Sequence, residues 1–290
     1  MDTLRRFCIL SCGRVTQQFA TTSLSVRSRS RAVTLRTRSA LALQNHSRRL
    51  NCTSSTMSDK HLTTGEPLPP LKDGSVRLFS MKYCPFAHRP RLVLHAKKVE
   101  YEEINCQLLN KPEFLVERNP EGKVPVFEHE GKVVVESSVI CDLLDSLYPN
   151  PPLYPSDPYL KAKDRISMER YSSKVISVFY QSIRSAGENK EAVDKLLAAL
   201  ELIQADLAGR GTPFFGGDQP NMVDYCSWPF NERIMAFDVV YELVKEKLPT
   251  LDAYYKRMAN EPAVKAVSTS KDVYHKFFKG YVTGSFEYEF

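Results

Sequence analysis

The sequence predicts a small α/β domain followed by an all-helical domain, and three observations support this prediction. Strand-like apolar runs alternate with helical patterns up to about residue 148. Residues 148–158 then contain five Pro, which no helix interior tolerates, so this stretch is expected to be a linker. Beyond the linker, apolar residues recur at helical spacing, and we find no convincing strand pattern.

The first domain is expected to follow the order β-α-β, a short helical region, and then β-β-α. The predicted strands are Val76–Met81, Tyr101–Cys106, Val124–Glu128 and Lys132–Val135, with a short turn at Gly131 between the last two. The predicted helices are Pro85–Lys98, a short one near Pro112–Glu117, and Ser137–Leu147. The last helix has one apolar face, formed by Val139, Ile140, Leu143, Leu144 and Leu147.

The second domain is expected to consist of helices. One helix is indicated by apolar residues at helical spacing, namely Val193, Leu196, Leu197, Leu200, Ile203 and Leu207. Another is expected to begin at Asn221, which would be its N-cap, with Asp224 as the acid at the third helical position. The predicted organisation is a leader over 1–56, an extended Pro-rich lead-in over 57–74, the α/β domain over 75–148, the linker over 149–158 and the helical domain over 159–290.

Charge is distributed unevenly along the chain. The net charge is +6, but residues 1–56 hold ten Arg and one acid, whereas residues 57–290 hold 30 basic and 33 acidic residues. The near-neutral body argues against nucleic acid as the partner, because phosphate binding needs a basic surface. The apolar fraction of 42% is sufficient for a packed core, and no apolar run reaches the roughly eighteen residues that predict a membrane-spanning helix.

The seven Cys are scattered, and none of the four beyond residue 56 forms a C-x-x-C pair. We therefore expect neither a disulfide framework nor a metal site, and we expect the folded body to be cytoplasmic. The leader over 1–56 is rich in Arg, Ser and Thr, a composition typical of a transit peptide that directs import into mitochondria. A disordered tail, or sequence upstream of a start at Met57, fits the same composition.

Cys84 is the residue that indicates chemistry. It lies where a predicted strand gives way to a predicted helix that opens with Pro85, and this is where thioredoxin-like folds place their reactive sulfur. The first N–H groups of the helix would favour the thiolate and lower the pKa of the thiol. On residue type alone, a buried and inert Cys would be the better interpretation. Because Ala87 stands where a second Cys is usual, an external thiol must resolve any disulfide, and glutathione is the abundant candidate.

Several segments in a fixed order make the chain resemble an omega-class glutathione transferase over about residues 74–282. They are MKYCPFAHRPRLVLHAK, NKPEF, NPEGKVPVFE, VVVESSVICDLLD and FFGGDQPNMVDYCSWPFNER. The resemblance implies the soluble glutathione transferase fold, with a thioredoxin-like N-terminal domain and an all-α C-terminal domain. It also implies glutathione as co-substrate and a homodimer.

The resemblance also assigns site residues. Cys84 matches the catalytic Cys of the family, and the positions that match its glutathione site are Phe86, Lys111, Val124, Pro125, Glu136 and Ser137. Lys111 would contact the glycine carboxylate end of glutathione. Val124 would precede a cis-Pro and pair through its backbone with the cysteinyl unit, while Glu136 and Ser137 would hold the γ-glutamyl end. Any one of these residues taken alone would have an ordinary surface or packing role.

Arg233, Tyr274 and Tyr281 fall at or near the family's second-substrate pocket. Tyr274 stands where the family has Trp, and core packing is an equal alternative for both Tyr residues. Pro90 is a second departure, and it is expected to kink the first helix.

The resemblance implies a thiol transferase or reductase that acts on dehydroascorbate, glutathionylated thiols or methylarsonate, and an arthropod branch of the family makes a pyrimidodiazepine pigment precursor. Two alternatives remain open. One is an intracellular chloride-channel-like protein that associates with membranes. Proteins of that kind share this fold and a similar Cys-Pro-Phe motif. The charges and Pro90 within residues 76–99 make stable membrane insertion expensive. The other is a glutathione-binding scaffold without turnover.

Overall fold

The N-terminal part of the described chain is a mixed four-stranded sheet with three helices. The computed structural model describes residues 60–289, and the leader together with its transit-peptide hypothesis lies outside them. The elements in chain order are β1 (Val76–Ser80), α1 (Pro85–Ala96), β2 (Tyr101–Asn105), α2 (Glu113–Arg118), β3 (Val126–His129), β4 (Lys132–Val135) and α3 (Ser137–Leu147). The predicted order of elements is confirmed, and most boundaries shift by one or two residues.

The strand order in the sheet is β2-β1-β3-β4. Strand β1 runs parallel to β2, with Val76 opposite Tyr101, and antiparallel to β3, with Val76 opposite His129. All five residues of β1 are buried, as expected for a central strand between two neighbours. The chain leaves β1 at the edge of the sheet where α1 begins, and this junction holds Cys84.

Helix α3 packs against α1, and the predicted apolar face of α3 is only partly correct. Its buried residues are Ser137, Ile140, Cys141 and Leu144. Val139 and Leu147 are instead about half exposed, at 50% and 45%. The buried stripe has helical spacing but is rotated from the predicted one, because it includes the polar and sulfur-bearing positions 137 and 141.

The named elements that follow α3 in the described part of the chain are helices. These are α4 (Pro158–Tyr171), a π-helical turn (Ser172–Ile176), α5 (Ser177–Arg184), α6 (Lys190–Arg210), α7 (Met222–Ala236), α8 (Asp238–Lys247), α9 (Pro249–Met258), α10 (Pro262–Val267) and α11 (Lys271–Thr283). The predicted helix over residues 193–207 lies within α6. The predicted capping box is present at the start of α7, where Asn221 accepts from Val223 and Asp224.

Helix α7 is the central helix of this part, and nearly all of its residues are buried. It packs against α1, so the first helix of the sheet domain lies between the sheet and the helical part. Helix α1 is continuous from Pro85 to Ala96 through Pro90, which is itself buried. The fold is therefore a thioredoxin-like domain followed by an all-helical domain, as the sequence predicts.

Candidate functional site

Cys84 is the N-cap residue of α1, with an extended backbone at φ −76° and ψ 120°. Pro85 follows as the first helical residue, where its missing N–H leaves no hydrogen bond unmade. The Cys84 side chain makes no capping hydrogen bond, but the backbone N–H groups of Phe86 and Ala87 lie near its sulfur and act to lower the pKa of the thiol. The residue is buried, with 8% of its surface exposed. The helix start therefore places two amide groups near one sulfur.

The direction of the Cys84 pKa differs from the prediction. Burial raises the pKa of the Cys84 thiol, because an apolar environment penalises the thiolate. The amides of Ala87 and Phe86 and the guanidinium groups of Arg233 and Arg91 act in the opposite direction but do not cancel the effect of burial. The helix terminus does act to lower the pKa, but the cost of removing the sulfur from water is larger.

Two arginines from different helices hold the turn that precedes Cys84. Arg233 of α7 donates to the carbonyl oxygen of Tyr83 at 2.7 Å, and Arg91 of α1 donates to that of Lys82 at 2.9 Å. Arg91 also lies 3.5 Å from the buried carboxylate of Glu103 on β2. These contacts fix the backbone next to the sulfur and place two cations near it.

Arg89 faces a different part of the site. Its guanidinium donates to the hydroxyl of Ser137 at 3.3 Å and to the carbonyl oxygen of Cys226 at 2.8 Å. The same group lies over the rings of Phe86 and Phe230, at 5.4 and 5.5 Å from their centroids. Arg89 thus links the residue beside the sulfur to the start of α3 and to α7.

Lys111 lies on the loop before α2, and its side chain runs along Gly122. Its Nζ approaches the carbonyl oxygen of Glu121 at 3.5 Å. A Cβ added at Gly122 would lie 2.7 Å from the Lys111 Cδ, and Gly122 has a φ of +61°, which favours glycine. Glycine at this position therefore leaves room for the lysine side chain beside the loop that leads to Val124.

The Val124–Pro125 peptide bond is cis, as the resemblance implies. Val124 is buried in the same apolar cluster as Cys84. The loop that ends at Val124 therefore lies in the same part of the core as Cys84.

Glu136 and Ser137 follow β4 directly. Glu136 is exposed, is the N-cap of α3 and has a φ of +71°, which is rare for a residue with a side chain. Ser137 is buried and begins the helix. The Glu136 carboxylate is close enough to Lys123 to contribute, after Glu121, to raising the pKa of that ammonium group. A carboxylate and a helix start thus lie together at the end of the sheet.

Of the predicted second-substrate residues, Arg233 and Tyr281 face Cys84, and the thiolate charge contributes, after burial, to raising the pKa of Tyr281. Tyr274 is almost fully buried, and its hydroxyl donates to Glu232 at 2.5 Å. Its ring lies 4.7 Å from the guanidinium carbon of Arg233. These contacts of Tyr274 favour the packing alternative, in which it supports Arg233.

Two tyrosines near the sulfur were not predicted as site residues from the sequence. Tyr180 of α5 packs against Tyr281 at 5.5 Å between ring centroids, and Tyr288 lies in the segment after α11. Burial raises the pKa of both, and the Cys84 charge contributes. Tyr180 has no local signal, because its place depends on how α5 and α11 pack. Within residues 60–289, no group of three or more His, Cys, Asp or Glu residues has an arrangement that could hold a metal ion.

Comparison with known proteins agrees with this geometry. The family model for the glutathione S-transferase N-terminal domain matches residues 78–152, and the model for the C-terminal domain matches residues 170–262. Omega-1 glutathione S-transferase of Mus musculus is 36% identical over 233 residues, which cover 79% of this chain and 95% of the relative. This chain belongs to the omega class of glutathione transferases. Glutathione is the co-substrate of this family.

Other relatives and solved structures extend the comparison. Pyrimidodiazepine synthase of Drosophila melanogaster is 38% identical over 229 residues, which cover 76% of this chain and 92% of that protein. The crystal structure of a Tau class glutathione S-transferase from mango, Mangifera indica, has a TM-score of 0.66 at 29% identity, covering 72% of this chain and 99% of that one. A rice glutathione S-transferase solved in complex with glutathione has a TM-score of 0.67 at 26% identity, covering 72% of this chain and 96% of that one.

Proposed function

We propose that this enzyme is a glutathione-dependent thiol transferase and reductase in which Cys84 forms a mixed disulfide with glutathione. Its substrates are small oxidised molecules such as dehydroascorbate, glutathionylated thiols or methylarsonate. The observation that supports this most strongly is the position of Cys84 at the start of α1, near two backbone amides, together with Ala87 in place of a resolving cysteine. A sulfur nucleophile without a partner in its own motif needs a second, external thiol.

The proposed cycle on a glutathionylated thiol has two exchanges. The Cys84 thiolate attacks the glutathione sulfur of the substrate disulfide, the Cys84–glutathione disulfide forms, and the substrate thiolate leaves and takes up a proton. A second glutathione thiolate then attacks the same glutathione sulfur, which releases glutathione disulfide and regenerates Cys84. With dehydroascorbate, two glutathione molecules are oxidised to one glutathione disulfide and the substrate gains two electrons and two protons.

In this proposal the glutathione molecule lies along the edge of the sheet that carries Cys84. Lys111 binds its glycine carboxylate, the Val124 backbone pairs with its cysteinyl unit, and Glu136 with Ser137 holds its γ-glutamyl end. Phe86, beside the sulfur, packs against the bound tripeptide. The charges support this arrangement, because a cation and a carboxylate match the oppositely charged ends of the peptide. Arg233 and Tyr281, which both lie near Cys84, would line the pocket for the second substrate.

The deciding experiment assays the full chain with glutathione against a mixed-disulfide substrate, dehydroascorbate and methylarsonate. Cys84→Ser should reduce thiol transfer by on the order of 10³-fold or more, because the hydroxyl cannot form the disulfide. Cys106→Ser is the matched control and should retain activity. Full activity of Cys84→Ser in a folded protein would refute the proposal, and lack of turnover by the wild-type protein would favour a glutathione-binding scaffold.

The similarity to the Drosophila pyrimidodiazepine synthase supports a second candidate activity at the same site, the synthesis that this name denotes. The assay panel should therefore include the pyrimidodiazepine reaction, and product formation that requires Cys84 would support it. For the chloride-channel-like alternative, no helix among residues 60–289 is long and apolar enough to cross a membrane. Redox-dependent insertion into liposomes would favour that alternative.

We further propose that the enzyme is a homodimer, as is expected for the family. Exposed apolar side chains support this, and they lie on β4, α3 and α4, namely Val133, Val139, Leu147, Leu160 and Ile166. Exposed apolar side chains on neighbouring elements are typical of an interaction surface. Val139→Glu should shift the chain from dimer to monomer in analytical ultracentrifugation, whereas Val282→Glu, at a similarly exposed position on α11, should not.

We also propose that the folded body without residues 1–56 acts in the cytoplasm, and that residues 1–56 direct import of the full-length chain into mitochondria. The supporting observation is the Arg-rich, acid-poor composition of that segment. A fluorescent protein fused after residues 1–56 should enter mitochondria, and a cytoplasmic fusion would refute this role.

A further inference from the structure

Two other cysteines lie side by side away from Cys84. Cys141 is on α3, Cys226 is on α7, and both are buried, at 0% and 3% exposed. The two thiols lie close enough for each to influence the titration of the other. The pair joins a helix of the thioredoxin-like domain to a helix of the all-helical domain.

Arg89 lies against this pair and distinguishes the two thiols. Its Nε donates to the carbonyl oxygen of Cys226 at 2.8 Å. The adjacent Cys141 thiol, together with the Arg89 guanidinium, holds the pKa of Cys226 below its ordinary value against the effect of burial. Burial and the adjacent Cys226 raise the pKa of Cys141. These interactions favour the anionic form at Cys226 over Cys141.

A small polar cavity reaches Cys226. Its volume is about 80 Å³, and its lining includes Arg89, Tyr171, Ser227 and the exposed side chains of Arg165 and Glu169. A water molecule takes up roughly 30 Å³ of liquid, so the cavity admits molecules of the size of hydrogen peroxide. It is too small for a tripeptide disulfide. The cavity therefore gives a small oxidant a route to Cys226, which has a second thiol close to it.

We propose that Cys141 and Cys226 form a modification site for a small hydroperoxide, at which the two helices become linked by a disulfide. The Cys226 thiolate attacks one peroxide oxygen, the O–O bond breaks, and Cys226 becomes a sulfenic acid while the other oxygen leaves as water after taking up a proton. The Cys141 sulfur then attacks the Cys226 sulfur, and the hydroxyl leaves as a second water. One peroxide is reduced, two thiols are oxidised, and no further reductant is needed. This reaction is separate from the transferase cycle at Cys84.

The test treats the full chain carrying Cys84→Ser with hydrogen peroxide, so that Cys84 does not consume the oxidant. After free thiols are blocked with an alkylating agent, peptide mapping by mass spectrometry should find the Cys141 and Cys226 peptides joined. Their joint mass should be about 2 Da below that of the two reduced peptides. Glutathione disulfide at the same concentration should give the link at least about tenfold more slowly, because it does not fit the cavity.

Cys106→Ala is the matched control, since Cys106 is also buried and its S–H donates instead to the Ile104 carbonyl oxygen at 3.7 Å. It should leave the link intact, whereas Cys226→Ala should remove it. If Cys226→Ala fails to fold, peptide mapping of the peroxide-treated Cys84→Ser chain still decides whether the link forms. The proposal is refuted if peroxide leaves both Cys141 and Cys226 open to alkylation after unfolding. It is also refuted if glutathione disulfide forms the link as fast as peroxide.

Discussion

Cys84 and Cys106 lie in the same buried apolar cluster, yet their surroundings give them different chemistry. Burial alone acts on Cys106 and raises its pKa to about 12. Burial also raises the pKa of Cys84, but two backbone amides and two guanidinium groups oppose it. The comparison shows that packing by itself produces an inert structural thiol. At Cys84, a helix start and nearby cations oppose the effect of burial on the pKa of the thiol.

The largest expected difference between the two cysteines is in their reactivity. At pH 8, iodoacetamide should modify Cys84 at least about tenfold faster than Cys106, because each unit of pKa changes the thiolate fraction about tenfold. The rate at Cys84 should keep rising with pH up to at least the ordinary thiol value of 9.0, since its pKa is raised. Mass spectrometry of the two peptides over a pH series measures both rates, with the unfolded chain as the reference. A plateau for Cys84 below pH 8 would contradict the raised pKa.

Removal of one cation should raise the pKa of Cys84 further and make its alkylation slower, closer to that of Cys106. Arg233→Met takes away a guanidinium that lowers the pKa of Cys84. We expect alkylation of Cys84 at pH 7.5 to slow by about three- to tenfold, with the pH profile displaced to higher pH. Arg170→Met, on the exposed side of α4, is the control. An unshifted profile in a folded Arg233→Met protein would show that this arginine acts only on the backbone.

The smallest effect is expected at the structural cysteine. Cys106→Ala removes a fully buried sulfur and should lower the free energy of unfolding by about 1 kcal/mol, measured by urea denaturation. Thiol transfer should remain within about twofold of wild type, because Cys106 donates to Ile104 and takes no part in the proposed exchange. Loss of thiol transfer in Cys106→Ala would show that Cys106 is also needed for the reaction, contrary to this prediction.

The local parts of the fold could be predicted from the sequence. Lys132–Val135 and Ser137–Leu147 are found with the predicted boundaries, because alternating and helical periodicities are properties of neighbouring residues. The capping box at Asn221 and Asp224 is likewise local. The cis bond before Pro125 was implied by the resemblance and had no signal of its own.

Interactions between distant segments could not be predicted. The hydrogen bond from Arg233 to the Tyr83 carbonyl oxygen joins residues 150 positions apart. Arg89 and Arg91 lie two positions apart on α1 but have different partners, since Arg89 donates to Cys226 of α7 and Arg91 donates to Lys82. Val139 and Leu147 were assigned to a buried face by apolarity alone, although the buried stripe of α3 is set by contact with α1. The predicted direction of the Cys84 pKa shift was wrong for the same reason, since burial is a property of the whole fold.

The backbone at Glu136 has a consequence for engineering this enzyme. Its φ of +71° lies in a region that costs a residue with a side chain roughly 1–3 kcal/mol. Glycine would adopt this conformation freely, so a screen that rewards heat resistance alone should favour Glu136→Gly. Under the proposed function, the same change removes the carboxylate that meets the ammonium group of glutathione. At this one position, selection for thermal stability would therefore oppose selection for affinity toward glutathione.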